Sequence, residues 1–176
     1  MIYPIVRYGD PVLETPAEPV TEFDTPELHQ LVEDMFQSMY YHRGVGLAAP
    51  QIGIPKRIAV IDTSAGQDPN QRIVIINPEI IAADGQIREE EGCLSLPGFH
   101  EPVVRSRWVK VRAQNVKGEW FEITGEGLLA RAFQHEIDHL NGRLFISRIS
   151  ALKRDLIRRK IRKMIKAGEW QLRSQV

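Results

Sequence analysis

Apolar residues recur at helical spacing in three separate stretches of the chain. The first stretch follows Thr25, which suits an N-cap, and begins with Pro26, which suits the first helical position. Its apolar residues keep an i, i+3, i+4 pattern and predict one buried stripe, made of Leu28, Leu31, Val32, Met35, Phe36 and Met39. Gly44 marks the predicted end of this helix.

The other two helical stretches lie in the last third of the chain. One runs from about Ser150, a candidate N-cap, to Ala167. Its apolar stripe consists of Leu152, Leu156, Ile157, Ile161, Met164 and Ile165. The other starts near Gly125-Glu126-Gly127 and ends by Asn141-Gly142, a frequent C-terminal signal. Apolar residues predict that this helix is buried, namely Leu128, Leu129, Ala132, Phe133, Ile137 and Leu140.

Strands are predicted between these helices. Arg57–Thr63 and Arg72–Asn77 are rich in β-branched residues. Ile80–Glu91 continues the predicted sheet, with Asp84-Gly85 as a hairpin turn. Val103–Ala113 and Glu119–Thr124 form a predicted second hairpin.

Three segments lack a regular pattern. Residues 1–24 contain four prolines and are predicted to be an extended arm with at most one short turn. The segment Gly44–Gly53 is too rich in glycine and proline for a helix or a regular strand. Gly92–Gly98 interrupts the strand pattern and places the single cysteine, Cys93, in a turn.

The composition is that of one ordinary globular domain, with 176 residues, 43% of them apolar and 26% charged. No apolar run approaches membrane-spanning length, and the first residues lack the regions of a signal peptide. A single cysteine excludes an internal disulfide. We therefore expect one cytoplasmic domain over residues 1–176 with no membrane contact.

Charge is unevenly distributed, although the chain has 23 basic and 23 acidic residues. Residues 150–176 hold nine lysines and arginines but only two acids. We therefore predict a basic C-terminal helix at 150–168, a surface that attracts polyanionic partners. The alternative interpretation is a solvated helix that covers an apolar groove.

The segment His135-Glu136-Ile137-Asp138-His139 suggests a specific chemistry. Two histidines four residues apart lie on one face of a helix, so both imidazoles can bind one metal ion. Glu136 then lies beside the open metal position as a general base or acid. Because the helix is predicted to be buried, these polar groups need a partner such as a metal. A solvated helix face is the alternative.

By itself, H-E-x-x-H also fits a zinc metallo-endopeptidase. One class of these enzymes adds a third histidine, but Phe145 occupies that position although Gly142 matches. Another class uses a downstream glutamate, and the next one here is Glu169 on the basic tail. Cys93 is therefore the natural candidate for a third ligand, and one thiolate with two imidazoles suits zinc, iron(II) and cobalt.

Three protein ligands leave one metal position open, as in catalytic sites. The backbone amide of Leu94 and the side chain of Gln51 could stabilise an oxyanion. These features together predict hydrolysis of an amide-like carbonyl. A non-enzymatic hypothesis also stands, in which a metal-stabilised module binds nucleic acid through its basic tail.

Three segments together resemble the bacterial-type peptide deformylases, in both order and spacing. They are Gly44-Val45-Gly46-Leu47-Ala48-Ala49-Pro50-Gln51, Glu91-Gly92-Cys93-Leu94-Ser95 and Gln134-His135-Glu136-Ile137-Asp138-His139. The resemblance implies an α+β fold in which antiparallel β-sheets pack around the central metal-binding helix, with a C-terminal helix. It also implies removal of the formyl group from the N-terminal formyl-methionine of newly synthesised proteins, with release of formate.

The same resemblance implies the roles of individual residues. Cys93, His135 and His139 would bind the metal, with iron(II) as the native ion and zinc, nickel or cobalt as substitutes. Glu136 would transfer the proton, while Gln51 and the Leu94 amide would stabilise the oxyanion.

The partner implied by the resemblance is the nascent N-formylmethionyl peptide. Its backbone would pair with the loop at Val45 and Gly46. The methionine pocket would be bordered by Val45, Leu128, Arg131 and Ala132. We also expect the basic C-terminal helix to dock on the ribosome, where nascent chains emerge.

Two positions depart from the pattern of some relatives. Arg131 replaces an aliphatic residue, and we expect its stem on the pocket and its charged head in solvent. The segment Gly98-Phe99-His100-Glu101 replaces an acid and an arginine that face the substrate peptide. His42 and His100 are expected at the surface, not as metal ligands.

Overall fold

The computed structural model describes all 176 residues and has three α-helices and seven β-strands. The helices are α1 (Pro26–Tyr41), α2 (Leu128–Leu140) and α3 (Ala151–Lys166). The strands are β1 (Gly46–Ala48), β2 (Ile58–Ile61), β3 (Ile73–Asp84), β4 (Ile87–Glu91), β5 (Glu101–Arg105), β6 (Trp108–Gln114) and β7 (Trp120–Glu126). The predicted α+β class, with antiparallel sheets around a central helix, is confirmed.

Five strands form one antiparallel sheet in the order β1-β2-β3-β6-β7, and β4 pairs with β5 in a second, two-stranded sheet. Both faces of the larger sheet are covered near β2. Because successive strand residues point to opposite faces, Ile58 and Val60 pack with α1, while Ala59 and Ile61 pack with α2. Helix α2 is therefore held against a sheet that α1 supports from behind.

Helix ends follow the capping signals of the sequence. The Thr25 side chain accepts a hydrogen bond from the Leu28 N–H, and the Ser150 side chain accepts one from the Lys153 N–H. Helix α2 starts after Gly127, which has a φ of 59° and offers no side-chain cap. All three predicted helices thus form at the predicted positions.

The predicted hairpin at Asp84-Gly85 is wrong. Strand β3 continues to Asp84, with register shifts on either side of Glu79, and Gly85 then turns the chain out of the sheet. Strand β4 pairs with β5 and not with β3. A turn signal marks a reversal but does not specify which strands pair.

The predicted strand Val103–Ala113 is likewise two strands, because the chain bends at Ser106 between β5 and β6. The Gln134 side chain of α2 accepts from the Ser106 N–H and donates to the Ser106 carbonyl, each at 2.9 Å. This distant side chain satisfies backbone groups that a continuous strand would pair, so the bend depends on a tertiary contact.

The loop predicted at Gly44–Gly53 is more regular than expected. Gly46–Ala48 pairs with β2, and Ala49–Ile52 forms a 3-10 turn that ends at Gly53 in the left-handed region, with a φ of 83°. Strand β1 is paired on one side only, so its other edge is open.

The N-terminal arm is extended, as predicted, apart from a 3-10 turn at Pro11–Glu14. The arm and α3 share a third apolar cluster, to which Val6, Leu13, Ile157, Ile161 and Trp170 contribute. The tail returns to the arm through an antiparallel bridge between Val6 and Arg173. None of the helices has the length and apolar character needed to cross a membrane.

Helix α2 packs tightly against the sheet at Gly125 of β7. A Cβ at this position would lie 2.8 Å from Phe133 Cε2 and 2.9 Å from Leu129 Cγ. We expect Gly125→Ala to lower the free energy of unfolding by about 1–3 kcal/mol, because the packed core cannot absorb the methyl group. Urea denaturation measures the loss. Thr124→Ala, at the exposed neighbouring position, should stay within about 0.5 kcal/mol of the parent; equal stability of both variants would contradict this packing.

Candidate functional site

Helix α2 and the turn after β4 bring three metal-binding groups together. The ligand atoms of Cys93, His135 and His139 all lie within 4.8 Å of one another. The Cys93 Sγ is 3.4 Å from His139 Nε2, which is 3.2 Å from His135 Nε2. The sequence therefore identified all three members of the cluster, including a cysteine that lies 42 residues before the first histidine.

The surroundings of the two imidazoles fit a metal ion. The Glu91 carboxylate binds His135 Nδ1 at 2.7 Å, which leaves Nε2 facing the cysteine and the other histidine. Burial and the charge of His135 lower the pKa of His139 and favour its neutral, ligating form. Burial opposes protonation of His135, but contacts with Cys93 and the charge of Glu136 raise its pKa. A divalent cation among the three atoms would take the place of that proton.

Glu136 lies in the same site and is almost fully buried. Its Oε1 has no hydrogen-bond partner in the protein. Burial is the main cause that raises the pKa of Glu136 to about 7, a value suited to moving protons near neutral pH. The β1 backbone lies so close that a Cβ on Gly46 would come within 2.5 Å of Glu136 Oε2. A side chain at position 46 would therefore force the Glu136 carboxylate to move.

Gln51 and Leu94 flank the cluster. The Gln51 side chain is buried, with Oε1 accepting from the Ala48 N–H at 3.0 Å and Nε2 3.6 Å from Cys93 Sγ. Leu94 directly follows Cys93 in the turn, and its backbone N–H has no acceptor in the protein. Both are donors near the ligand atoms, as the oxyanion hypothesis requires.

One cavity of about 440 Å³ connects these groups. Its lining includes both flanking donors, Cys93, His135 and Glu136. The residues predicted to contact substrate also line it, namely Val45, Gly46, Leu128, Arg131 and Ala132. His100 is exposed at the cavity edge, and His42 binds the Tyr3 carbonyl at 3.0 Å. Neither histidine belongs to the ligand cluster.

The expectation for the Arg131 head is wrong, because the guanidinium is buried and not in solvent. Its Nη1 is 2.7 Å from Glu91 Oε1, and only 7% of the side chain is exposed. In the sequence Glu91 is one of three consecutive acids, yet in the structure it is the buried partner of this arginine. Burying a cation in low dielectric requires such an anion, and the sequence pattern did not reveal the pairing.

Glu91 belongs to a larger buried network that sequence analysis missed. Arg105 Nη2 binds Glu91 at 2.6 Å, and Arg105 Nη1 binds Asp138 at 2.7 Å. Arg148 donates to both carboxylate oxygens of Asp138. Burial raises the pKa of Glu91, but hydrogen bonds from His135 and Arg105 outweigh it and keep that pKa below its usual value. The only sequence signal was the placement of Asp138 within the buried helix.

A buried acid beside a Cys/His/His cluster, facing an open cavity, is typical of metal-dependent hydrolases. The family model for polypeptide deformylase matches residues 2–155. The chain therefore belongs to the polypeptide deformylase family, a family of enzymes.

Individual relatives agree with this assignment. The peptide deformylase of Acidobacterium capsulatum is 67% identical over 170 residues, covering 97% of this chain and 99% of the relative. That of Cellvibrio japonicus is 48% identical over 168 residues, covering 95% and 98% of the two chains. The crystal structure of a peptide deformylase from Legionella pneumophila has a TM-score of 0.87 at 48% identity, covering 97% of this chain and 99% of that chain.

The contact between Glu91 and His135 leads to a prediction about metal affinity. We expect Glu91→Gln to weaken binding of zinc about 10- to 100-fold. The neutral Gln amide lacks the negative charge with which the Glu91 carboxylate holds the His135 imidazole. Competition with a chromogenic chelator measures the affinity, on protein shown to be folded by circular dichroism. Glu90→Gln changes an exposed neighbour and should leave the affinity unchanged. Equal affinities for both variants would show that Glu91 does not support the site.

Proposed function

We propose that this enzyme hydrolyses the formyl group from the N-terminal formyl-methionine of nascent peptides. The reaction consumes water, breaks the bond between the formyl carbon and the amine nitrogen, and yields formate and a free amine. The observation that carries the proposal is the buried Glu136, which lines one cavity with Cys93 and His135, the two groups that cluster with His139. Membership of the deformylase family supports the choice of a formyl amide as substrate.

The metal of the proposal is iron(II), with zinc, nickel or cobalt as substitutes. One thiolate and two imidazoles suit each of these ions. A divalent ion held by these ligands supplies positive charge that makes water more acidic and polarises a carbonyl. The low pKa of His139 supports binding of such an ion, because a neutral imidazole offers its lone pair.

In the proposed mechanism, Glu136 accepts a proton from water and passes it to the amine nitrogen as the carbon–nitrogen bond breaks. Its pKa of about 7 suits both transfers, since neither protonation state is strongly preferred near neutral pH. Gln51 Nε2 and the Leu94 N–H stabilise the negative charge on the formyl oxygen. Gln51 Nε2 lies 3.6 Å from Cys93 Sγ, and the Leu94 N–H directly follows Cys93 and has no acceptor in the protein, which supports this role.

The substrate backbone is proposed to add to the open edge of β1 at Val45 and Gly46. The Val45 carbonyl already accepts a hydrogen bond from the Asp62 N–H at 2.8 Å, so it is not available to a substrate. The substrate would pair instead with the backbone groups of this segment that face the cavity. The methionine side chain would then enter between Leu128, Ala132 and the Arg131 stem. The proximity of Gly46 to Glu136 supports this register, because a peptide on that edge passes next to the acid.

The alternative activity is that of a zinc metallo-endopeptidase, and a pair of substrates separates the two. We expect the iron(II) protein, prepared without oxygen, to release formate from N-formyl-Met-Ala and to leave an unblocked peptide uncut. Glu136→Gln should lower kcat by about 10²–10⁴-fold at unchanged metal content, because the proton carrier is lost. Glu126→Gln, at an exposed position, is the control. Cleavage of the unblocked peptide without formate release would favour the endopeptidase instead.

We further propose that α3 docks on ribosomal RNA near emerging nascent chains. The helix buries Ile157 and Ile161 and leaves most of its basic side chains exposed, among them Arg159, Lys160 and Lys163. One apolar face therefore fixes the helix to the protein while the charged face is free for phosphate groups. The apolar face also supports the alternative, in which the helix only covers the apolar cluster that it shares with the N-terminal arm.

Neutralising the three exposed cations tests the docking without removing the core residues of the tail. We expect Arg159, Lys160 and Lys163 changed to Gln to weaken co-sedimentation with ribosomes and to reduce the salt dependence of binding. Each cation that no longer pairs with a phosphate should make the slope of log K against log salt shallower by about 0.9. The control changes Lys56, Arg88 and Lys117, which are exposed elsewhere, to Gln. Equal binding by both triple variants would rule out docking through this face.

A further inference from the structure

Ser95 connects the two loops that carry the proposed oxyanion donors. It lies in the turn after Cys93 and has no exposed surface. Its Oγ accepts a hydrogen bond from Gln51 Nε2 at 3.2 Å. Its backbone N–H is directed to Cys93 Sγ at 3.4 Å. One small residue thus touches both the amide donor and a metal-ligating sulfur.

The hydrogen bond from Gln51 to Ser95 limits what the Gln51 amide can do. The carboxamide oxygen is fixed by the Ala48 N–H at 3.0 Å, and the planar group cannot turn without breaking that bond. Of the two amide hydrogens on Nε2, one is used by Ser95 Oγ. The same nitrogen donates to Cys93 Sγ at 3.6 Å, so its second hydrogen is directed at the ligand cluster.

The backbones of the same two residues are held together by the N-terminal arm. The Val6 N–H donates to the Gln51 carbonyl at 2.7 Å, and the Tyr8 N–H donates to the Ser95 carbonyl at 2.9 Å. Alternate residues of an extended segment face the same side, so both bonds come from one edge of the arm. Gln51 and Ser95 are therefore joined by side chains on one side and through the arm on the other.

We infer that Ser95 is a positioning residue that orients the Gln51 amide toward the reacting carbonyl and fixes it beside Cys93. This role rests on the proposed function. An oxyanion donor is effective when it is already aimed at the developing charge, so loss of its support affects the chemical step more than substrate binding. The Ser95 hydroxyl is an acceptor that alanine cannot replace. Its removal leaves one Nε2 hydrogen of Gln51 without an acceptor, so only the Ala48 N–H on the oxygen side still fixes the amide plane.

Kinetics of a double-mutant cycle test the inference. In the iron(II) protein, we expect Ser95→Ala to lower kcat for N-formyl-Met-Ala by about tenfold with little change in KM, less than outright loss of a donor. In the Gln51→Ala background, Ser95→Ala should have almost no further effect, because the group it orients is gone. Fully additive losses in kcat would overturn the inference. Ser38→Ala is the matched control, since Ser38 is equally buried and its Oγ accepts from the Tyr3 N–H at 2.9 Å, outside the cavity lining.

A spectroscopic measurement separates this inference from the proposed function. In zinc-loaded protein labelled with nitrogen-15, the Gln51 side-chain amide signals are identified by their absence in Gln51→Ala. We expect them to shift in Ser95→Ala and to stay in place in Ser38→Ala. Unchanged Gln51 signals in folded Ser95→Ala protein would overturn the positioning role whatever the substrate is. Absence of formate release by the parent enzyme, with shifted signals in Ser95→Ala, would contradict only the proposed reaction.

Discussion

The structure depends on burying the charged face of a helix. Helix α2 places Arg131, Glu136, Asp138 and His139 in the interior, where unpaired charges are strongly unfavourable. The surrounding strands supply the counter-charges, because Glu91 ends β4 and Arg105 ends β5. Hydrogen bonds from Arg148 and Arg105 outweigh burial and keep the pKa of Asp138 below its usual value. The small two-stranded sheet is thus an electrostatic support for the helix as much as a packing surface.

The buried acids differ in whether their carboxylates have hydrogen-bond partners in the protein. Asp138 and Glu91 are fully engaged by arginines or histidine, so they hold the helix in place. Glu136 Oε1 has no protein partner, although it is equally buried on the same helix. A raised pKa follows from this difference, since burial of Glu136 is not offset by a direct hydrogen bond. The acids that hold the helix and the acid proposed to transfer protons are therefore distinguished by contacts and not by residue type.

The edge of the five-stranded sheet lies directly beside Glu136. Strand β1 lies at the edge of the five-stranded sheet and is paired with β2 on one side only. Its Gly46 passes so close to Glu136 that a Cβ at this position would displace the carboxylate. The N-terminal arm supports the loops beside this acid, because the Val6 and Tyr8 N–H groups donate to the carbonyls of Gln51 and Ser95. The tail in turn holds the arm, since the Arg7 N–H donates to the Leu172 carbonyl at 2.8 Å. Elements far apart in sequence thus converge on the same cavity.

The sequence by itself determined the helices and the class of site, because these depend on short-range regularities. Helical periodicity and caps located α1, α2 and α3, and the spacing of His135 and His139 on one helical turn required no tertiary information. Cys93 was predicted as the third ligand by excluding other candidates, and the structure places its sulfur beside both histidines. Strand pairing was not determined: the Asp84-Gly85 turn leads into a different sheet, and Gln134 bends the chain at Ser106. The burial of Arg131 against Glu91 was also decided only by the fold. The bend at Ser106 and the burial of Arg131 depend on partners 28 and 40 residues away. A local pattern contains no information about which distant group will satisfy a buried backbone or charge.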